Sequence, residues 1–233
     1  MRIPTSVPVL LCLFFLVAPG CKNKSKTETP VEKPVSVAAQ PSPAIAATPT
    51  PFPKLPAPSA AEIAAAFARV FGDDLRIDRA RPQSFIVGDF NGDGAEDIAV
   101  IARPAPGKLA EINSELANWT IQDADKAFVP SPDQRVVRMD KKIKPPSVTE
   151  GETVLAIIHG YGAKGWRDPA ARQAYLVKHA AATLQGTAPS INEKAIRAMH
   201  LPVETEIIKG VRDNRKGFLF WTGGGYAWHP GES

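Results

Sequence analysis

The chain has 233 residues, and its excess of four positive charges lies wholly before residue 59. Residues 59–233 hold 22 basic and 22 acidic side chains, a balance that excludes the one-signed face a nucleic-acid binder needs. Cys12 and Cys21 both precede that region, so neither disulfides nor thiol chemistry organise it.

The opening stretch, "MRIPTSVPVLLCLFFLVAPGC", places Arg2 before an apolar run from Val7 to Val17 and then small residues before Cys21. That order is a secretory signal, and the run is too short for a permanent transmembrane helix. The ending "VAPGC" resembles the bacterial lipobox, with Ala18 where a leucine is more usual and Pro19 an uncommon neighbour. The resemblance implies residues 1–20 as a lipoprotein signal peptide and Cys21 as the lipidated first mature residue. It also implies a membrane partner through that anchor, and Lys22 next to the cysteine implies sorting to the outer membrane, facing the periplasm or the cell surface. Residues 21–58 follow as a tether, with nine prolines from Lys22 to Pro58. A segment so poor in aromatics cannot bury enough apolar area to offset its ordering entropy and is expected to be disordered. Extended at about 3 Å per residue, it would hold a domain on the order of 100 Å from the lipid.

Residues 59–233 are long enough for a single domain with its own core. Ser59 and Glu62 have capping-box spacing, and "AAEIAAAFARVFG" predicts a helix with Ile63, Phe67, Val70 and Phe71 on one face and Gly72 as its stop. "SFIVGDF" and "DIAVIARP" predict strands flanking a polar loop, and "ETVLAIIHG" a buried strand. "KLAEINSELANW" spaces Leu109, Ile112 and Leu116 helically. "RDPAARQAYL" predicts a short helix capped by Asp168, and "SINEKAIRAMH" one with Ser190 and Glu193 as a capping box. "GFLFWTGGGYAWHPG" predicts a terminal hairpin. The expected fold is α+β, a small domain on an antiparallel sheet with a few short helices.

The loop "DFNGDGAED" places acidic or amide side chains at Asp89, Asn91, Asp93 and Asp97, every second residue and then the ninth. Calcium takes six to eight oxygens, and alternating side chains in a tight loop can point them at one centre. Gly92 and Gly94 permit the turn, and Asp89, Asp93 and Asp97 repel one another without a cation. This is not an EF-hand, because Val100 stands where the bidentate glutamate belongs and the flanks read as strands. The stretch resembles the FG-GAP or VCBS-type repeat of integrin-like propellers and bacterial surface proteins over residues 84–103. That resemblance implies one Ca2+ ion held by the side chains of Asp89, Asn91, Asp93 and Asp97, the Ala95 carbonyl and water. Without the late glutamate the affinity is expected to be modest, on the order of 10⁻⁴–10⁻³ M. The aspartate pattern occurs once, so a propeller is not expected.

Other candidates carry less chemistry. "VLAIIHGYGAKGW" resembles the oxyanion-loop region of α/β-hydrolases, but no G-x-S-x-G follows it, and a strand end with Trp166 covering the core is expected instead. His159, His179, His200 and His229 show no zinc spacing. Trp221, Tyr226 and Trp228 offer a possible ligand platform, weighed against cross-strand packing. Glu204 and Glu206 are an acid pair of unknown separation, and no catalytic residue is assigned. The expectation is a lipid-anchored envelope protein with a structural calcium site, a non-enzymatic binding or structural module with a protein or glycan ligand. The alternative is an envelope hydrolase acting on a cell-wall or glycan substrate.

Overall fold

Helix α1 (Ala60–Phe71) starts as the sequence predicts. The Ser59 hydroxyl accepts from the Glu62 amide at 3.2 Å, and the Glu62 carboxylate accepts from the Ser59 amide at 2.8 Å. Both satisfy backbone donors that the first turn leaves free. The computed structural model describes residues 54–129, 144–200 and 205–231, which fall in one compact unit. The signal segment, Cys21, almost all of the expected tether and Glu204 lie outside those residues.

Two sheets form the body. In the first, β1 (Leu75–Ile77) and β2 (Phe85–Gly88) pair end to end along one edge of β3 (Asp97–Pro104). The other edge of β3 pairs with β5 (Val154–Ile158), then β6 (Ala174–Lys178), then β4 (Thr120–Asp123). All these pairings are antiparallel except β4 with β6, which run parallel. The second sheet has the order β10 (Tyr226–Pro230), β9 (Arg215–Trp221), β8 (Glu206–Arg212) and β7 (Thr183–Pro189), all antiparallel. A two-residue turn with left-handed Asp213 and Asn214 joins β8 to β9, the conformation such tight hairpins require.

The strand patterns show why the layers stack in this order. Every residue of β5 is buried, as in a strand covered on both faces. Val154, Ala156 and Ile158 join Val100 and Ala102 against Ile63, Phe67, Val70 and Phe71 of α1. Leu155 and Ile157 face the other way, into a layer shared with Ile208, Leu219 and Tyr226 of the second sheet. The outer face of that sheet puts Ile207, Phe218 and Phe220 under Ile196 of the short helix α3 (Lys194–Ala198). Burying each such side chain contributes about 1.5–3 kcal/mol. The α+β class is as the sequence predicts, with two sheets and short helices. Among the described residues no helix is long and apolar enough to cross a membrane.

Three local expectations are corrected. Helix α2 spans only Leu109–Ile112, and Leu116 is 92% exposed. Asn113 diverts the chain: its amide nitrogen donates to the Leu109 and Val148 carbonyls, and its oxygen accepts from the Val148 amide. Asp168 caps a turn rather than a helix, because the following residues enter β6 between β5 and β4. The Ser190–Glu193 box does not form. The Ser190 hydroxyl accepts instead from the Thr205 amide at 3.1 Å, and Glu193 pairs with Lys209.

Asp78, 8% exposed, ties the β1 edge to the sheet. Burial pushes its carboxyl up, but hydrogen bonds from the Ala80 amide, Arg81 and Arg103 outweigh that and hold it below the usual carboxylate range. A group with a depressed folded pKa contributes stability above its unfolded pKa, near 3.9, and loses it as pH falls through the folded value. Urea unfolding of Asp78→Asn should therefore show a deficit against wild type at pH 7. That deficit should shrink as pH drops below about 4.

Candidate functional site

The loop between β2 and β3 holds its polar side chains on its own backbone. The Asp89 carboxylate accepts from the amides of Gly92, Asp93 and Gly94 at 2.8, 3.2 and 2.9 Å. The Asn91 oxygen accepts from the Asp93 amide at 3.1 Å, and Asp93 accepts from the amide of Ala95 at 2.8 Å. Gly92 and Gly94 adopt φ of 78° and 85°, which a residue with a Cβ rarely takes. Ala95 is buried, and Asp93 is the exposed member of the set.

Asp97 is the most constrained. It is fully buried at the start of β3, and its carboxylate accepts from Phe90 at 2.8 Å, Asn91 at 3.3 Å and Gly160 at 2.6 Å. Burial pushes its carboxyl well up, and Asp93 and Asp89 add to that against the pull of the amides. Asp89 is also raised, by burial first and by Asp93. A nearby cation would reverse both shifts, since an opposite charge favours the ionised form. After these hydrogen bonds each carboxylate keeps a free lone pair for a further partner. The donor set, all oxygen, fits a hard divalent cation such as calcium.

Asp89, Asp93 and Asp97 do not converge as a trio. Among the described residues, the one group of three acidic or histidine side chains with ligand atoms mutually within 4.8 Å is Asp123, Asp125 and His179. That group can hold a metal ion. The parallel register Asp123↔Lys178 brings it together by setting His179 beside the end of β4. His179 Nδ1 lies 2.7 Å from Asp123 and 3.8 Å from Asp125. Both carboxylates already have cationic partners, Lys126 at 3.1 Å and Arg212 at 2.7 Å. Burial raises Asp123, but hydrogen bonds from His179 and Lys126 win and leave its carboxyl below the usual range. Reading each histidine alone for zinc spacing missed this group, because its signal is a strand register rather than a motif.

The terminal aromatics pack across the hairpin, the arrangement weighed against a ligand platform. Trp221 and Tyr226 are opposite each other in the β9–β10 hairpin, and Tyr226 is 1% exposed. Both pack on His159 and Tyr175 between the sheets, with ring centroids 4.8–5.9 Å apart. Trp228 is half-buried, with the Arg212 guanidinium 5.1 Å above its ring. Trp166 is fully buried in the core beneath α1, in keeping with its expected covering role.

Two clefts flank these groups. One of about 430 Å³ lies beside the loop and is lined by Lys54, Asp89, Glu96 and Glu206. Burial raises the Glu206 carboxyl, and Asp89 and Glu96 push it further. Another of about 640 Å³ lies between Ile121, Phe128 and the glycine turn Gly223–Gly225. Comparison with family models, curated proteins and solved structures returns no match for the chain.

Proposed function

We propose that this is a lipid-anchored envelope protein, a non-enzymatic binding or structural module whose β2–β3 loop is stapled by one calcium ion. The observation that carries this reading is the loop's donor set. Asp89, Asn91, Asp93 and Asp97 are fixed on backbone amides, and the burial that raises two of their carboxyls favours a compensating cation. The signal segment and Cys21 support an extracytoplasmic site, where millimolar calcium matches a loop without a late glutamate.

A calorimetric calcium titration of the full chain tests this. Wild type should bind one ion, and Asp93→Ala should abolish the heat, since it removes a proposed ligand whose side chain is exposed and whose loss opens no cavity in the core. An unchanged titration in that variant would refute the site.

A second reading, an envelope hydrolase acting on a glycan, is favoured by Glu206 with its raised carboxyl on an acid-lined cleft. It is the weaker reading. The neighbouring Asp89 is bonded by three amides of its own loop, and Glu96 accepts from Trp166 and Arg167, so both carboxylates beside Glu206 already serve the loop.

A further inference from the structure

The His-Gly dipeptide that ends β5 is not used by any reading above, and its surroundings are specific. The register Ile98↔Ile158 places the end of β5 beside the start of β3, so the next two residues meet the loop. His159 Nδ1 lies 3.2 Å from the Asn91 amide nitrogen, and its Nε2 lies 2.6 Å from the Tyr226 hydroxyl. The Gly160 amide donates to Asp97 at 2.6 Å. Two consecutive residues therefore hold two of the loop's polar side chains.

The roles of the atoms follow from one another. The Asn91 oxygen accepts from the Asp93 amide, so its nitrogen is the atom turned to His159. An amide nitrogen only donates, so His159 Nδ1 accepts and Nε2–H donates to Tyr226. The same nitrogen donates to the Asp93 carboxylate at 2.9 Å, so His159 and Asp93 together fix which way the Asn91 amide faces, and the loop keeps the oxygen a cation needs. Gly160 must be glycine, because a Cβ there would run into the Glu96 carbonyl and the Gly165 Cα. Tyr226 belongs to the second sheet, so the contact also ties the loop to the layer between the sheets.

We propose that His159 and Gly160 form a positioning clamp that fixes Asn91 and Asp97 for cation binding, with Tyr226 holding the required tautomer of His159. The proposal rests on the calcium reading of the loop.

The test is calcium affinity, by calorimetry on the full chain, for wild type, His159→Asn, His159→Gln and Tyr226→Phe, with melting in chelator as the measure of folding. An asparagine oxygen occupies nearly the place of Nδ1, whereas a glutamine reaches only the place of Nε2. His159→Gln should weaken calcium about tenfold or more, as losing a partner behind a metal ligand does. His159→Asn should stay within about threefold of wild type, the acceptor being kept. A merely structural histidine would not separate them, since both variants remove the same ring. Should neither fold, Tyr226→Phe decides, with a loss of about threefold expected. Folded variants that all bind within about twofold of wild type would overturn the clamp alone. A wild type with no calcium response would remove the calcium reading and the clamp with it.

Discussion

Asp97→Ala is expected to destabilise the domain by about 3–5 kcal/mol, measured by urea unfolding in chelator so that no cation contributes. The side chain is fully buried and accepts three amide hydrogen bonds, from Phe90, Asn91 and Gly160. Alanine leaves those donors inside the protein with no acceptor, at about 1–3 kcal/mol for each one left unsatisfied. Partial rearrangement of the loop brings the sum below three full penalties. A loss under about 1 kcal/mol would mean that water reaches these amides and that the residue is not the pivot of the loop.

Trp166→Ala should cost about 3–5 kcal/mol, the range for deleting a fully buried large aromatic side chain. Its ring fills the core beneath α1, and its indole nitrogen donates to Glu96 at 2.9 Å. The same residue's amide donates to the Glu96 carbonyl at 2.7 Å, and Arg69 of α1 donates to the Trp166 carbonyl at 2.8 Å. Glu96 belongs to the loop, so the substitution removes both a core side chain and a brace behind the loop. Thermal melting should report the loss directly. Trp166→Phe, which keeps most of the volume and drops the indole N–H, should recover more than half of it.

Much of this was legible in local patterns. Ser59, Glu62 and the apolar stripe from Ile63 to Phe71 specify α1 and its buried face without help from distant residues. The β2–β3 hairpin and the terminal hairpin were equally legible, since turn residues and apolar runs adjoin in sequence. What failed was decided at long range. Asn113 ends α2 because Val148, far along the chain, bonds its side chain. The Ser190 hydroxyl is claimed by the Thr205 amide. Strand β6 resembled a helix continuation because only pairing on both sides makes "AYLVK" a strand.

The candidate site divides the same way. Asp89, Asn91, Asp93 and Asp97 could be read from spacing alone, because one tight loop brings them together. The Asp123 group is assembled where β4 and β6 end side by side, in a parallel register no motif encodes. His159 was visible as part of a hydrolase-like string and as one of four histidines without zinc spacing. Its contact to Asn91 follows from the register of β3 with β5, and its contact to Tyr226 from how the sheets stack. Trp221, Tyr226 and Trp228 are legible as hairpin aromatics, and the inward face of Trp221 and Tyr226 follows from the strand alternation of β9 and β10.

The central claim is that the loop from Asp89 to Asp97 binds calcium and is stabilised by it. The most direct measurement is the thermal unfolding of the wild-type chain in chelator and in calcium at about 100 times its dissociation constant. Linkage predicts a gain of about 2.7 kcal/mol, seen as a higher melting temperature in calcium. Identical melting in millimolar calcium and in chelator would contradict the account.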